Sequence, residues 1–178
     1  MSSTPSCHMT AKDFATIETF LQRGAVRDEA LLRLLRRKLS TAIVMFHDDI
    51  DAQVATIGSI VDYTVDGRLR ERSTLSHEEE GRRNEADEEQ DGAAALPVTT
   101  LRGLALLGLR SGETIAVQHA DGRQEEIRLD RVAFQPEAAL KRRAAERRGE
   151  GGTIVSLAGR HRPAAADPND DDPGPRAA

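Results

Sequence analysis

Apolar residues recur at helical spacing early in the chain and at strand spacing later, and the change of period divides it. Phe14, Ile17, Phe20 and Leu21 fall at i, i+3, i+6 and i+7 behind Thr10-Ala11-Lys12-Asp13, which has the spacing of a capping box with Asp in its fourth position. This predicts a first helix ending near Gly24. Asp28 is placed to cap a second helix, in which Leu31, Leu32, Leu34, Leu35 and Leu39 form an apolar stripe and Arg33, Arg36, Arg37 and Lys38 supply the solvent side. Together they predict a short antiparallel hairpin over residues 10–47, its second helix about 22 Å long at about 1.5 Å per residue. Residues 1–9 show no periodicity and read as a disordered leader.

From residue 52 the pattern turns to β. Val54, Thr56, Ile57, Ile60, Val61, Tyr63 and Val65 are enriched in β-branched and aromatic types, and Asp66-Gly67 is a turn signal before the run from Leu69 to Leu75, so the two runs predict a hairpin. Residues 78–91 carry eight acids against two arginines and no apolar spacing, the pattern of a mobile acidic loop. Order is expected to resume at Ala95-Leu96-Pro97-Val98, to pass through a helix over residues 101–109, and to close with strands over 113–118 and 125–134 around the turn at Asp121-Gly122. The expected fold class is α+β: a helical hairpin, then over residues 52–137 a small antiparallel sheet with one packed helix. Residues 138–178 read as a basic helical extension, with Pro136 tolerated in its first turn, followed by a disordered tail rich in Gly, Pro, Ala and Asp.

Composition narrows the chemistry. With 38% apolar and 3% aromatic residues, a sizeable part of the chain lies outside a packed core. The single Cys7 cannot close an internal disulfide, and no cluster of Cys or His has metal-ligand spacing, which points to a reducing cytoplasm and no metal or other cofactor. No apolar run approaches the roughly 20 residues of a membrane span, so no membrane partner is expected. The net charge of -5 is arranged in blocks. Between residues 141 and 162, seven basic residues face two acids, and Lys141, Arg142, Arg143, Arg147 and Arg148 crowd the helical part. Such a cluster binds nucleic acid or an acidic protein surface, or is a solvated tail, and the sequence leaves these open.

The stretch over residues 102–114, RGLALLGLRSGET, holds no Cys, no His and no acid cluster. Followed by a hairpin and the closing Phe134-Gln135-Pro136-Glu137-Ala138, it resembles the C-terminal domain of the bacterial Gre transcription elongation factors, most of all their small relative, the regulator of nucleoside diphosphate kinase. The family's Val-Gly-Ala-Ala-Leu-Leu-Gly-Leu stands here as Arg102-Gly103-Leu104-Ala105-Leu106-Leu107-Gly108-Leu109, and its Gly-Asp-Ser-Ile as Gly112-Glu113-Thr114-Ile115. A family segment of the type Thr-(Met/Leu)-Asn-Ser-Arg-Val appears as Thr56-Ile57-Gly58-Ser59-Ile60-Val61, with Asn and Arg replaced, and the Pro usual at the helix start is Leu101. The resemblance implies an FKBP-like fold without isomerase activity. It also implies RNA polymerase as partner, gripped through the surface around the helix start: Leu96, Pro97, Leu101, Arg102 and Gly103.

Gre cleavage factors resemble this chain in architecture but carry a longer coiled coil, whose acidic tip helps hold a catalytic magnesium inside the polymerase. The tip here is mixed in charge, with Arg23, Arg27, Asp28 and Glu29. Paired acids suit magnesium, yet capping explains Asp28 and a favourable helix-start position explains Glu29. The expectation is a non-catalytic cytoplasmic transcription regulator with no small-molecule substrate, seated near the polymerase secondary channel. The alternatives are an adaptor acting on nucleoside diphosphate kinase or another protein, and an active cleavage factor using Asp28 and Glu29.

Overall fold

The computed structural model describes residues 6–24, 27–77 and 93–150. The N-terminal part runs β1 (Cys7–Thr10), α1 (Ala11–Gln22), α2 (Glu29–Thr41) and β2 (Ala42–Met45). Thr10 Oγ1 accepts from the Asp13 amide at 3.0 Å and Asp28 accepts from the Ala30 amide at 2.8 Å, so both helices begin at the predicted caps. The hairpin is bracketed by strands: β1 and β2 pair in parallel, with Cys7 opposite Ala42 and Thr10 opposite Met45.

This corrects the reading of residues 1–9 as a disordered leader, of which residues 1–5 lie outside the described chain. Cys7 and Met9 are buried, and the His8 amide donates to the Gly108 carbonyl at 3.0 Å. Four residues of alternation are too few to register as a period, and their partner lies far along the sequence. A second correction concerns Lys38, expected on the solvent side and found only 3% exposed. Leu31, Leu34, Leu35 and position 38 fall at i, i+3, i+4 and i+7, so Lys38 completes the apolar stripe instead of flanking it.

The second part comprises β3 (Ile60–Val65), β4 (Leu69–Ser76), β5 (Ala94–Pro97), α3 (Leu101–Leu106), β6 (Thr114–Gln118), β7 (Gln124–Phe134) and α4 (Pro136–Glu150). The sheet order is β5-β4-β3-β7-β6. The Asp66-Gly67 turn sets β3 against β4 with Tyr63 opposite Glu71. The sheet is mostly but not wholly antiparallel, because β5 runs parallel to β4, pairing Ser76 with Pro97. A parallel neighbour needs a long crossover, and the expected acidic loop supplies the necessary length; that loop, residues 78–92, lies outside the described chain. Pro97, which has no amide to donate, sits on an edge strand, where proline is tolerated.

Val61, Tyr63, Val65, Leu75, Ile127 and Leu129 project from one face of the sheet onto Leu104 and Ala105 of α3, and Ile17, Leu31, Leu34 and Leu35 of the hairpin join the same apolar cluster. Burying such a Leu or Ile contributes about 1.5–3 kcal/mol. Hairpin and sheet therefore share one core. Gly58 has φ +89, in the left-handed region that glycine adopts most readily.

Candidate functional site

Leu96 and Pro97 end β5, and a turn carries the chain into α3. Thr100 makes the turn: its amide and hydroxyl both donate to the Pro97 carbonyl, at 3.0 and 2.7 Å, while its Oγ1 accepts from the Gly103 amide at 3.1 Å and caps the helix. A Cβ on Gly103 would lie 2.1 Å from the Pro97 carbonyl oxygen, so only glycine lets the helix start approach the strand end this closely. Of the five residues singled out at the helix start, Leu96, Pro97, Leu101 and Arg102 are partly exposed near one another, whereas Gly103 is buried beneath them. Leu96 and Leu101 are half-buried against the core.

Arg102 is not a free cation. Its Nε and Nη2 donate to Glu125 Oε1 at 3.0 and 2.5 Å, and its Nη1 lies 3.7 Å from Glu71 Oε1. Glu71 in turn accepts from the Tyr63 hydroxyl, and His119 Nε2 lies 3.1 Å from Glu125 Oε2. The Glu125 hydrogen bond holds the Arg102 pKa above its usual value. Burial alone would raise Glu125, but Arg102, with His119 behind it, outweighs burial and leaves that carboxyl below its usual range. Burial first, then the Glu71 contact, pushes the Tyr63 phenol up to about 12. The network orients the helix start on the sheet and keeps its charges paired.

Sequence reasoning missed this network. Part of the signal was present: the Asp66-Gly67 turn fixes Tyr63 opposite Glu71, and the Asp121-Gly122 turn fixes Val117 opposite Glu125. Placing Arg102 between the two acids requires the packing of α3 on the sheet, which no local pattern encodes.

At the hairpin tip Arg23 caps the end of α1 through its backbone, Asp28 is engaged as the α2 cap, and Glu29 is 80% exposed beside Arg33 at 3.7 Å. Arg27 is exposed; Ala25 and Val26 lie outside the described residues. With helices of 12 and 13 residues, the hairpin is on the order of 20 Å long. Lys141, Arg142, Arg143, Arg147 and Arg148 all lie exposed on α4, and among the described residues none has a carboxylate partner. The rest of the basic segment, with Arg160 and Arg162, lies outside the described chain. Among the described residues no group of three acids, histidines or cysteines is arranged to hold a metal, and no helix is long and apolar enough to cross a membrane.

Besides the His8–Gly108 main-chain bond, a lysine ties the hairpin to the sheet part. Lys38 Nζ donates to the carbonyls of Ala105, at 2.8 Å, and Leu107, beside the buried Cys7, whose thiol burial pushes up against the opposing Lys38 charge. Burial lowers Lys38 itself to about 8. Near the α1 start, the buried Asp13 is pushed up to about 6 by burial, the Thr10 hydroxyl opposing and Glu137 adding. Glu137, in the first turn of α4, accepts from Thr56 Oγ1 at 2.7 Å.

The fold, a short helical hairpin joined through a common core to a sheet with one packed helix, is similar to that of a solved prokaryotic transcription elongation factor. The structure of the GreA/GreB factor from Nitrosomonas europaea superposes with a TM-score of 0.50 at 22% identity, covering 74% of this chain and 100% of that one. GreA factor homolog 1 of Thermus thermophilus gives a TM-score of 0.31 at 17% identity over 72% of this chain and 99% of that one. Its Thermus aquaticus counterpart gives 0.33 at 14% over 71% and 97%. No protein-family description and no curated protein matches the sequence.

Proposed function

We propose that this chain is a non-catalytic regulator of transcription that binds RNA polymerase through the FKBP-like sheet part, with the hairpin near the secondary-channel entrance, and competes there with Gre factors. The observation that carries the reading is the fold shared with a GreA/GreB elongation factor over that factor's whole length. The surface around the start of α3 supports it: Leu96, Pro97, Leu101 and Arg102 are partly exposed there, and the Thr100 cap, the buried Gly103 and the Glu125 pair hold them rigidly, as a docking surface needs. The hairpin tip supports a non-catalytic role, because Asp28 already serves as a cap and two arginines stand beside the acids.

Gel filtration of the purified chain with core RNA polymerase tests the proposal. Co-elution at micromolar concentration, reversed by excess Gre factor, is expected. Separate elution sinks it and leaves a different protein partner, such as nucleoside diphosphate kinase, as the reading to pursue.

A further inference from the structure

β6 is the last strand of the sheet, and its free side faces a groove of about 370 Å³ between α2, the start of α3 and the sheet. That volume lies within the range of about 300–1,000 Å³ that binding clefts occupy. Three consecutive residues of β6, 116–118, line it. Side chains alternate between the faces of a strand, so a groove touching three in a row runs along the strand's open edge.

Main-chain bonding agrees. The His119 amide donates to the Arg123 carbonyl and the Leu129 amide to the Glu113 carbonyl, which sets the parity of the β6–β7 ladder. Positions 115 and 117 therefore bond to β7, while the N–H and C=O groups of Thr114, Ala116 and Gln118 point outward. Among the described residues, none of these groups has a main-chain partner outside the ladder. Exposed edges are ordinarily guarded by charge, proline or a bulge; β6, with sequence TIAVQ, has no charged residue and no proline.

The groove's chemistry is equally one-sided. Leu34, Leu101 and Val117 provide an apolar floor, and Arg33 and Arg37 stand exposed in the lining with no acid among the lining residues. Arg37 has no carboxylate partner among the described residues, and the 3.7 Å pair of Arg33 with the exposed Glu29 is loose enough to exchange.

We propose that this groove binds an extended peptide segment in which acidic and apolar side chains alternate, added as a further strand along β6. Its backbone pairs with Ala116 and Gln118, its apolar side chains sit on Leu34, Leu101 and Val117, and its carboxylates meet Arg33 and Arg37. Single-stranded nucleic acid fits less well, because the lining has no aromatic side chain on which a base could stack. The inference goes beyond polymerase docking and stands whether or not the chain binds polymerase.

The test is fluorescence anisotropy of a labelled decapeptide alternating Glu and Val, titrated with the full chain. Saturable micromolar binding is expected, weakened at least about tenfold in the Arg33→Glu/Arg37→Glu double variant, whose thermal melt is measured alongside to establish that it folds. The same peptide N-methylated at alternate amides, which leaves the protein untouched, is expected to lose at least as much, and the amides of Ala116 and Gln118 to exchange hydrogen more slowly in the complex. Equal binding of the N-methylated peptide overturns strand addition. Absence of saturable binding below millimolar concentration overturns the site, and Arg33- and Arg37-dependent binding of an oligothymidine in place of the peptide reassigns it to nucleic acid.

Discussion

The ammonium of Lys38 donates to the carbonyl of Ala105 at 2.8 Å, a hydrogen bond from the hairpin into the last turn of the helix that packs on the sheet. The final carbonyls of a helix lack partners within it, and here a lysine from another element supplies one for α3, reaching Leu107 as well. Replacing Lys38 by Met relieves the cost of burying a charge but leaves the buried Ala105 carbonyl without this donor and the Leu107 carbonyl with only the long Cys7 thiol contact at 4.0 Å. The expected outcome is a net loss of about 2–4 kcal/mol in denaturant unfolding. Because burial lowers the pKa to about 8 from an ordinary 10.5, the unfolded chain binds the proton more tightly. The wild type should therefore gain stability from this group between about pH 8 and 10.5, and Lys38→Met should lack that rise. Equal stability of the variant would show that the carbonyls find another donor.

Asp13 titrates in the opposite sense. Its folded pKa, about 6, lies above the ordinary 3.8, and its Oδ2 has no hydrogen-bond partner. The stability it contributes is fully present below about pH 3.8 and is lost as pH rises through about 6. Asp13→Asn is expected to flatten that part of the stability profile and to be the more stable protein at pH 7.5 by on the order of 1–3 kcal/mol. Urea midpoints at pH 4.5 and 7.5 measure it, and an unchanged slope would place the titration elsewhere.

Gly103→Ala probes the helix start. The added Cβ meets backbone at 2.1 Å, so either α3 or the end of β5 must move. A loss of about 2–4 kcal/mol is expected. Retained stability in a thermal melt would show that the turn at Val98–Thr100 can yield.

The helical hairpin was legible because its caps and stripe are local: Thr10, Asp28 and the leucines of α2 act within a few residues of themselves. The β3–β4 hairpin was legible because Asp66-Gly67 fixes its register. What escaped depends on distant partners. Cys7 and Met9 form a strand only because β2 and Gly108 receive them, β5 takes its direction from β4, and Lys38 is buried only because α3 ends in front of it. At the candidate surface, residues adjacent in sequence were found together, whereas the pairing of Arg102 with Glu125 waited on tertiary packing.

Asp28→Ala separates capping from chemistry. As a lost cap it should cost about 0.5–2 kcal/mol in stability. RNA release from a backtracked elongation complex with magnesium should remain at background for both wild type and variant. Release above background that disappears in Asp28→Ala would make the chain a cleavage factor.

The seat of β1 has a consequence for how the chain is made. Cys7 lies over the Leu107 carbonyl, 100 residues away in sequence. On the ribosome the hairpin emerges long before the segment that receives it, so the apolar faces of α1 and α2 stay uncovered until α3 and the turn at Gly108 have left the exit tunnel. The hairpin is thus completed only after β3, β4 and β5 have been made, though before β6 and β7, and a nascent chain arrested before residue 108 should be open to protease throughout its hairpin.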